Sequence, residues 1–499
     1  MISSTAKPGS LAEAVQTGRM NKRAWLITVM LVLFQIIAFA DKAVLGLVAQ
    51  QAIPELGIST VQFGFIGSAF FFLYAIASVF LGIWAGKVPI KWVLLAMGLS
   101  WAILQFPMLF GGGAAVLLVT RILLGGAEGP ATAISLSSAH SWFRPADRSL
   151  PSNLIAIGST LGPVVAAPLL AVVIVNFGWR WAFGVLGIFG VVWTIAWFML
   201  GADGPYGGKR AKSSKTETHH GLTALESETA ARAEASTSAP GPDSAEQDKL
   251  AGIDRQQRVP WRAILTSGSF VVAVFAGFTN FWTQGFLTTW SPKYLAGVVN
   301  LSPEMVAVFF TFPWLFGAAV LLALGILGRY LMRRGLSVHK AIGIPFGVSL
   351  ALAGVSFLLL PATTGAASVV LLTVAAGCSV IYPMAPSAMA YAVGPRQRPV
   401  LMATLGGIAS VGAIISPTAV GLFMDNAGYR TPSPGQKDTV EMIANMTSGV
   451  HQSFGVAGLL LLTAGVLSVF FLNPDRTGQR LQRKYAHDAD TESTVGAKH

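Results

Sequence analysis

Residues 25–48 read WLITVMLVLFQIIAFADKAVLGLV, an apolar stretch in which Asp41 and Lys42 are the charged positions. A helix needs roughly 20 mainly apolar residues to cross the hydrocarbon core of a bilayer, so this stretch suffices for one crossing. It is too long for the apolar region of a secretory signal, carries charges in its body and lacks a small-residue cleavage pattern. The sequence therefore predicts a retained membrane-spanning helix.

Composition extends this prediction to the whole chain. Hydrophobic residues make up 53% of the 499 residues and charged residues 11%, whereas charged residues are roughly a quarter of an ordinary soluble protein. Further apolar stretches lie near 60–85, 92–111, 115–140, 152–175, 180–201, 266–290, 304–327, 341–360, 366–393, 400–424 and 450–472. We therefore expect an all-α membrane protein with twelve transmembrane helices.

A polar segment divides these helices into two groups of six. Residues 202–263 are hydrophilic and poor in aromatics, which is typical of a disordered linker. The halves also resemble each other, because GIWAGKVPIK at 82–91 and GILGRYLMRR at 325–334 end the second and the eighth stretch. Such an internal repeat is typical of transporters. The predicted organisation is an N-terminal tail at 1–24, a six-helix half at 25–201, the linker at 202–263, a second half at 264–473 and a C-terminal tail at 474–499.

The net charge of +12 reports topology and gives no reason to expect nucleic-acid binding. Basic residues occupy alternate short loops, namely Lys87 and Lys91, Arg144 and Arg148, Arg329, Arg333 and Arg334, Arg396 and Arg398, and Arg476, Arg480, Arg483 and Lys484. Lys7, Arg19, Lys22 and Arg23 precede the first stretch. Lys and Arg concentrate in cytoplasmic loops, so both termini are predicted to be cytoplasmic. Arg180, Lys293, Arg430 and Lys437 run against the bias.

Four ionisable residues interrupt the apolar stretches: Asp41 and Lys42 in the first, Arg121 and Glu128 in the fourth. Each costs roughly 2.5–3.5 kcal/mol at the bilayer centre, so such residues usually have a function. Arg121 and Glu128 lie seven residues apart, about 10 Å along a helix, too far for a direct pair. We expect a contact between Asp41 and Arg121, and a central cavity bordered by Glu128, Tyr74 and Lys42.

The signs of these charges favour an anion as ligand. Two acids and two bases balance when all are ionised, and protonating Asp41 or Glu128 leaves a positive cavity. Proton uptake and anion binding then support each other, which predicts a proton:anion symporter with Asp41 and Glu128 as the proton-coupling residues. Two alternatives stay open: the charges form buried pairs that only hold helices together, or the chain is a proton-driven exporter of drugs or metabolites.

The second half offers uncharged polar groups instead. The candidate substrate-binding residues there are Asn280, Trp282 and Gln284 in the seventh stretch, Tyr382 in the tenth and Ser410 in the eleventh. Asn280 and Gln284 lie one helical turn apart on one face. They are predicted to contact a hydroxylated or carboxylated solute, and hydrogen bonding between helices is the alternative.

Enzymatic and metal-dependent functions have little support. The single cysteine, Cys378, excludes an internal disulfide and a cysteine-based metal site. The adjacent His219 and His220 lack further spaced ligands, and no nucleophile triad or nucleotide-binding loop is visible. We expect no enzyme, no cofactor and no metal.

Several motifs together resemble the anion:cation symporter family of the major facilitator superfamily, which includes sugar-acid and aromatic-acid permeases. They are the Asp41/Lys42 pair, the spacing from Arg121 to Glu128 with GAEGP, SWFRPADRS at 141–149, GWRWAF at 178–183 and FLTTWSPKYL at 286–295. The resemblance implies alternating access, Asp41 and Glu128 as titrating carboxylates, Lys42 as partner of the substrate carboxylate, Arg121 as a gating or pairing cation and Tyr74 as a substrate contact.

This chain departs from the family pattern at three places. The family more often has arginine at the Lys42 position, and lysine cannot make arginine's planar bidentate contact with a carboxylate. Gly86 and Gly328 stand where the superfamily's loop motif has aspartate, and GGIASVGAIISP at 406–417 has Ser410 at a usual asparagine position. The expectation is uptake of a small organic anion, a sugar acid or an aromatic or aliphatic carboxylate, by a monomer in a bacterial inner membrane.

Overall fold

The computed structural model describes residues 11–85, 88–143, 147–205, 259–394 and 397–495. In these ranges the chain forms helices joined by turns, without a strand. Twelve of the helical segments are long and apolar enough to cross a membrane, which confirms the predicted fold class. The linker over 206–258, with His219 and His220, lies outside the described ranges, as do Gly86, residues 144–146 and both chain ends.

We number the membrane-length segments as spans in chain order. Spans 1 to 6 are Lys22–Leu56, Thr60–Ser78, Ile90–Leu109, Ala114–His140, Leu150–Phe177 and Arg180–Leu200. Spans 7 to 12 are Gly268–Thr289, Pro303–Arg333, His339–Ala362, Ala366–Ala392, Val400–Asn426 and Val440–Phe471. The helices that hold spans 1, 2 and 5 are longer, at Leu11–Leu56, Thr60–Ala85 and Ser149–Phe177. Shorter helices at Trp261–Leu265 and Ser291–Gly297, and one at Pro474–Val495, lie outside the spans.

Two helix ends differ from the sequence prediction by eight to ten residues. Span 1 continues past Val48 to Leu56, although Gln50, Gln51 and Glu55 are polar. Span 12 starts at Val440 instead of 450, because Thr439 caps it by accepting a hydrogen bond of 3.2 Å from the Met442 amide. Backbone hydrogen bonds and caps determine where a helix ends, whereas the apolar pattern reports only the part that needs to be in lipid.

Three spans contain a helix break. Span 4 consists of Ala114–Glu128 and Ala131–His140, and Gly129 and Pro130 separate the two helices. Span 10 consists of Ala366–Ser379, Met384–Met389 and a final 3₁₀ turn, and span 11 of Arg398–Ala409 and Val411–Asn426. In span 4 the break places Glu128 at the end of its helix, because proline has no amide hydrogen to continue the helical ladder.

Because successive spans reverse direction, the loops divide between two faces. The terminal face holds residues 11–21 and the helix Pro474–Val495, and the far face holds the loops 57–59, 110–113, 178–179, 290–302, 363–365 and 427–439. Hydrogen bonds join the halves near the far face: Thr60 Oγ1 donates to the Gly421 carbonyl at 3.1 Å, and Ser68 Oγ and Thr418 Oγ1 are 2.7 Å apart. The halves are therefore in contact on the far side of the site.

Glycine permits this contact. A Cβ on Gly64 would lie 2.3 Å from the Pro417 carbonyl oxygen, and one on Gly46 would lie 2.5 Å from that of Thr288. Since real Cβ atoms do not approach so closely, any larger residue at these positions would force backbones apart. Span 2 therefore meets span 11, and span 1 meets span 7, backbone against backbone.

A buried ion pair holds the far-face loop 427–439. The Lys293 Nζ lies 3.9 Å from Asp438 Oδ2, and both side chains are buried. The Tyr429 hydroxyl donates a 2.7 Å hydrogen bond to Asp438 Oδ1, and Thr431 Oγ1 donates to the Ile58 carbonyl of the other half. Burial lowers the pKa of Lys293, an effect that Asp438 opposes, and burial raises the pKa of Tyr429. The loop 427–439 is thus fixed to the second half, to which it belongs, and also contacts the first half.

Candidate functional site

The four intramembrane charges come together between spans 1 and 4. Asp41, Arg121 and Glu128 are at most 2% exposed, and the Lys42 side chain is 9% exposed. In such surroundings a charge needs a partner, because its desolvation is otherwise uncompensated. The charges divide into the expected contact between Asp41 and Arg121 and an ion pair of Lys42 with Glu128.

Lys42 is the ion-pair partner of Glu128. The Lys42 Nζ lies 3.6 Å from Glu128 Oε2, and both carboxylate oxygens of Glu128 are buried without a hydrogen-bond partner among the described residues. Opposite charge alone therefore stabilises this carboxylate. A proton on Glu128 would remove the attraction and leave Lys42 as a cation without its counter-ion.

Aromatic rings surround the other sides of Lys42. Its ammonium lies 3.9 Å from the centroid of Phe39 and 4.8 Å from that of Tyr74. Both distances are within the range of cation–π attraction. Tyr74 thus borders the Lys42–Glu128 pair, as the positions of these residues along their spans predicted, and its ring is part of the cation's immediate surroundings.

Asp41 and Arg121 meet through the main chain. Arg121 Nη1 donates a 2.8 Å hydrogen bond to the backbone carbonyl of Asp41, and not to its carboxylate. The carboxylate instead accepts a 2.7 Å hydrogen bond from Gln105 Nε2 of span 3. Arg121 Nη2 is buried and has no partner among the residues that the structure describes, and the guanidinium lies 5.4 Å from the Phe183 ring centroid. The expected contact exists, but the two side-chain charges do not form a salt bridge.

Gln105 is a site residue that sequence reasoning missed. It is 2% exposed and is the amide side chain of an otherwise largely apolar span, which was the available signal. Gln35 of span 1 was missed for the same reason. Its fully buried amide donates to Thr132 Oγ1 at 2.9 Å and to Ser159 Oγ at 3.1 Å, and its Oε1 has no partner in the described part of the chain.

A small cavity adjoins the charges and has room for about one water molecule. Its lining comes from both halves: Lys42, Leu45, Gly67, Phe70, Phe71, Arg121, Thr288 and Thr289. The far-face contacts described above lie on one side of it. The charged site is therefore at the boundary between the halves.

Three of the predicted residues of the second half use their polar atoms within that half. Asn280 Nδ2 donates to the Ser379 carbonyl, and Gln284 Nε2 lies 3.4 Å from Asn280 Oδ1. Ser410 Oγ donates to the Gly407 carbonyl at 2.8 Å. Asn280 and Ser410 are each 1% exposed. For Asn280 this is the hydrogen bonding between helices that the sequence left open as the alternative to substrate contact, whereas the bonds of Gln284 and Ser410 stay within spans 7 and 11.

The two aromatic candidates of the second half differ from each other. Trp282 is 6% exposed and packs in the apolar core, 6.0 Å from the Phe278 centroid. The Tyr382 ring centroid lies 5.2 Å from that of Phe281, and its hydroxyl is buried. Of this pair, Tyr382 is the one whose buried polar atom has no hydrogen-bond partner among the described residues.

Comparison with known proteins gives one family. The model of the Major Facilitator Superfamily matches residues 31–378. Over 308 residues the chain is 26% identical to a hexuronate transporter of Bacillus subtilis (strain 168), covering 62% of this chain and 65% of the relative. Over 461 residues it is 24% identical to a probable sulfoacetate transporter of Cupriavidus necator, covering 91% and 95%.

Among solved structures, the chain is similar to a bacterial homolog of the human lysosomal transporter Spinster, captured in an inward-facing and unoccupied conformation. The TM-score is 0.69 at 17% identity, covering 92% of this chain and 98% of the other. At this identity the similarity concerns the fold. It covers both six-helix halves.

Proposed function

The chain belongs to the Major Facilitator Superfamily and is a membrane transporter, not an enzyme, and on that premise we propose that it takes up a small organic anion together with protons. The observation that carries the proposal is the buried Lys42–Glu128 pair at the boundary of the halves. The named relatives, transporters of hexuronate and of sulfoacetate, carry organic anions as well.

The pair couples the two ligands through competition for Lys42. While Glu128 is ionised, it neutralises Lys42 and leaves little attraction for a second carboxylate. A proton on Glu128 removes that competitor, so a substrate carboxylate can take its place beside the ammonium. Each ligand then raises the affinity for the other by the same factor, as linkage requires.

Asp41 is proposed as the second proton-coupling residue. Gln105 holds its carboxylate, and Arg121 is bonded to its backbone carbonyl. A change in the charge of Asp41 acts on the same small cavity through Arg121, which lines it together with Lys42. Arg121 thereby serves as a pairing cation between the two acids.

The proposed orientation follows from the basic residues of the alternate loops. In this orientation the terminal face lies in the cytoplasm of a bacterial cell and the far face lies outside the inner membrane. The working unit is proposed to be a monomer. The halves are in contact near the far face, so the state described here is closed to the outside. The limits 1–24, 25–201, 202–263, 264–473 and 474–499 remain the proposed organisation.

Purified protein in proteoliposomes tests this function. Labelled sugar acids, aliphatic carboxylates and aromatic carboxylates are offered with and without an inward proton gradient. We expect at least one carboxylate to accumulate, and accumulation to cease when a protonophore collapses the gradient. Accumulation of none, or extrusion driven by the same gradient, would refute proton-coupled uptake, and the second result would identify an exporter.

A further inference from the structure

Arg121 is a buried cation that forms no ion pair with any residue in the described ranges. The nearby Asp41 carboxylate accepts its hydrogen bond from Gln105 instead. Arg121 Nη1 donates to the Asp41 carbonyl, whereas Nη2 is buried and finds no acceptor within the part of the chain that the structure describes. A buried charge is costly unless it is paired, so this guanidinium has an unused donor for an anion.

Arg121 and Lys42 line the same small cavity. The Lys42 ammonium is paired with Glu128, and a proton on Glu128 would release it. Two cations would then border one space. A ligand with a single anionic group could neutralise only one of them, and the other would stay buried without a counter-ion.

The second half contributes hydroxyl groups to the lining of this cavity. Thr288 and Thr289 of span 7 line it, and Thr288 Oγ1 donates to the Gln284 carbonyl at 2.9 Å. Thr289 Oγ1 lies opposite Gly67 of span 2, where a Cβ would be 2.9 Å from it. A ligand held by the two cations of the first half thus meets, in the second half, a hydroxyl that can donate to an anionic oxygen.

The charges around the cavity set the number of protons that such a ligand needs. They are Asp41 and Lys42 of span 1 and Arg121 and Glu128 of span 4, and the Tyr74 phenol of span 2 borders Lys42. Two acids and two bases sum to zero when all are ionised, and a proton on each acid leaves two positive charges. A ligand with two negative charges restores neutrality, which a buried site favours.

Building on the proposed function, we propose that the transported ligand is a dianion, an organic acid with two negatively charged groups, and that two protons accompany it. One anionic group takes the place of Glu128 beside Lys42, and the other accepts a hydrogen bond from Arg121 Nη2. Asp41 and Glu128 bind one proton each. The empty and the loaded site then both carry no net charge, so the membrane potential neither drives nor opposes transport of the dianion.

Three pairs of acids test the second negative charge, because the members of each pair have similar size and differ mainly in one anionic group. They are succinate and succinamate, phthalate and phthalamate, and glucarate and gluconate. Each labelled acid is offered to proteoliposomes under an inward proton gradient, and the unlabelled acids compete with the one that accumulates most. We expect the dianion of the transported pair to inhibit at a concentration at least about tenfold below that of its monoanionic partner.

The outcomes separate this proposal from proton-coupled uptake itself. A monoanion that accumulates with the proton gradient and binds as tightly as its dianionic partner would overturn the dianion and leave proton-coupled uptake intact. If none of the six acids accumulates, the dianion is refuted, and the wider panel of carboxylates decides separately whether the chain takes up any anion with protons.

A membrane potential tests the number of protons. With equal pH on both sides, a potassium diffusion potential that is negative inside should cause no accumulation of the dianion, whereas a pH gradient should. Accumulation driven by the potential alone would require more than two protons for each dianion. Inhibition of gradient-driven uptake by the same potential would indicate fewer than two, and either result would overturn the electroneutral exchange of charge.

Arg121→Gln tests the second contact through a ratio that a general loss of active protein does not change. The half-inhibition concentrations of dianion and monoanion should approach each other in this variant, because the second anionic group loses its cation. Arg121→Lys keeps the charge and should retain part of the preference. The matched control is Arg329→Gln, which should keep the wild-type ratio because Arg329 is exposed on span 8. An unchanged preference for the dianion in Arg121→Gln would exclude Arg121 as its second contact.

Discussion

Replacing Glu128 with glutamine tests the coupling most directly, because glutamine imitates a protonated glutamate. The Lys42–Glu128 separation of 3.6 Å corresponds to about 5 kcal/mol of attraction at an effective dielectric constant of about 20. A substrate carboxylate recovers part of this energy from the same ammonium. We therefore expect the variant to bind substrate at pH 8 at least tenfold more tightly than the wild type, a difference of about 1.4 kcal/mol.

The competition for Lys42 also predicts the direction in which substrate affinity changes with pH. Wild-type binding should weaken as the pH rises, since Glu128 then ionises and occupies Lys42. In Glu128→Gln this dependence should flatten, although Asp41 keeps a residual part. Isothermal titration of the detergent-solubilised protein between pH 5 and pH 8 measures both affinities. In proteoliposomes the variant should retain exchange of substrate and lose proton-driven accumulation.

Glu304→Gln is the matched control, because Glu304 is an exposed acid at the start of span 8. It should bind and accumulate substrate like the wild type. If Glu128→Gln accumulated substrate to the wild-type level, or bound it with unchanged pH dependence, the proposal that Glu128 and the substrate compete for Lys42 would be refuted.

Substitutions at three further positions have definite expectations. Lys42→Ala should abolish saturable substrate binding in titration calorimetry whereas Lys42→Arg keeps measurable affinity, and unchanged binding in the alanine variant would exclude this lysine from the site. Asp438→Asn leaves Lys293 as a buried cation without its counter-ion and should cost about 3 kcal/mol of stability. Burial already lowers the pKa of Lys293. The loss of stability is therefore largest at low pH, where the unpaired Lys293 is charged, and becomes smaller as Lys293 deprotonates. The drop in thermal midpoint should be larger at pH 6 than at pH 9. Gly125→Ala would place a Cβ 1.9 Å from the Phe70 carbonyl oxygen and should lower the thermal midpoint by the equivalent of about 1–3 kcal/mol, while a wild-type melting curve would show that spans 2 and 4 separate easily.

The fold was readable from the sequence because lipid imposes a simple rule on length and polarity. Span 1 illustrates both the success and the limit. Its apolar run predicts the membrane crossing. The helix nevertheless continues through Gln50, Gln51 and Glu55, because peptide hydrogen bonds do not depend on hydropathy. Where a helix leaves the bilayer and where it ends are separate questions, and the sequence answers mainly the first.

The site was predictable as a set of charges and less so as a set of contacts. The cost of burial makes Asp41, Lys42, Arg121 and Glu128 conspicuous in a sequence. Which acid faces which base depends on helix rotation: the sequence predicted that Glu128 and Lys42 border one cavity and left open whether the charges form pairs, and the structure has Lys42 paired with Glu128. Uncharged groups carry no comparable signal.

Asn280 and Gln105 show this for amides. An amide is as common in bonds between helices as in binding sites, so residue type alone does not distinguish the two uses. Asn280 was expected at the substrate and bonds Ser379 within its own half. Gln105 was overlooked and bonds the Asp41 carboxylate. Only coordinates separate such cases.

Because the backbone of Gly64 contacts that of Pro417, the size of the side chain at position 64 determines how stable the closed far face is. Nothing larger than hydrogen fits there, since a Cβ would already lie 2.3 Å from the carbonyl oxygen. A valine at this position would act as a wedge that raises the free energy of the described state and leaves unaffected a state in which the halves are apart on that side. The populations would shift toward access from the far face, as they do whenever one of two conformations is selectively destabilised. A single valine side chain at position 64 would thus hold the transporter in the conformation that is open at the far face, for structural study.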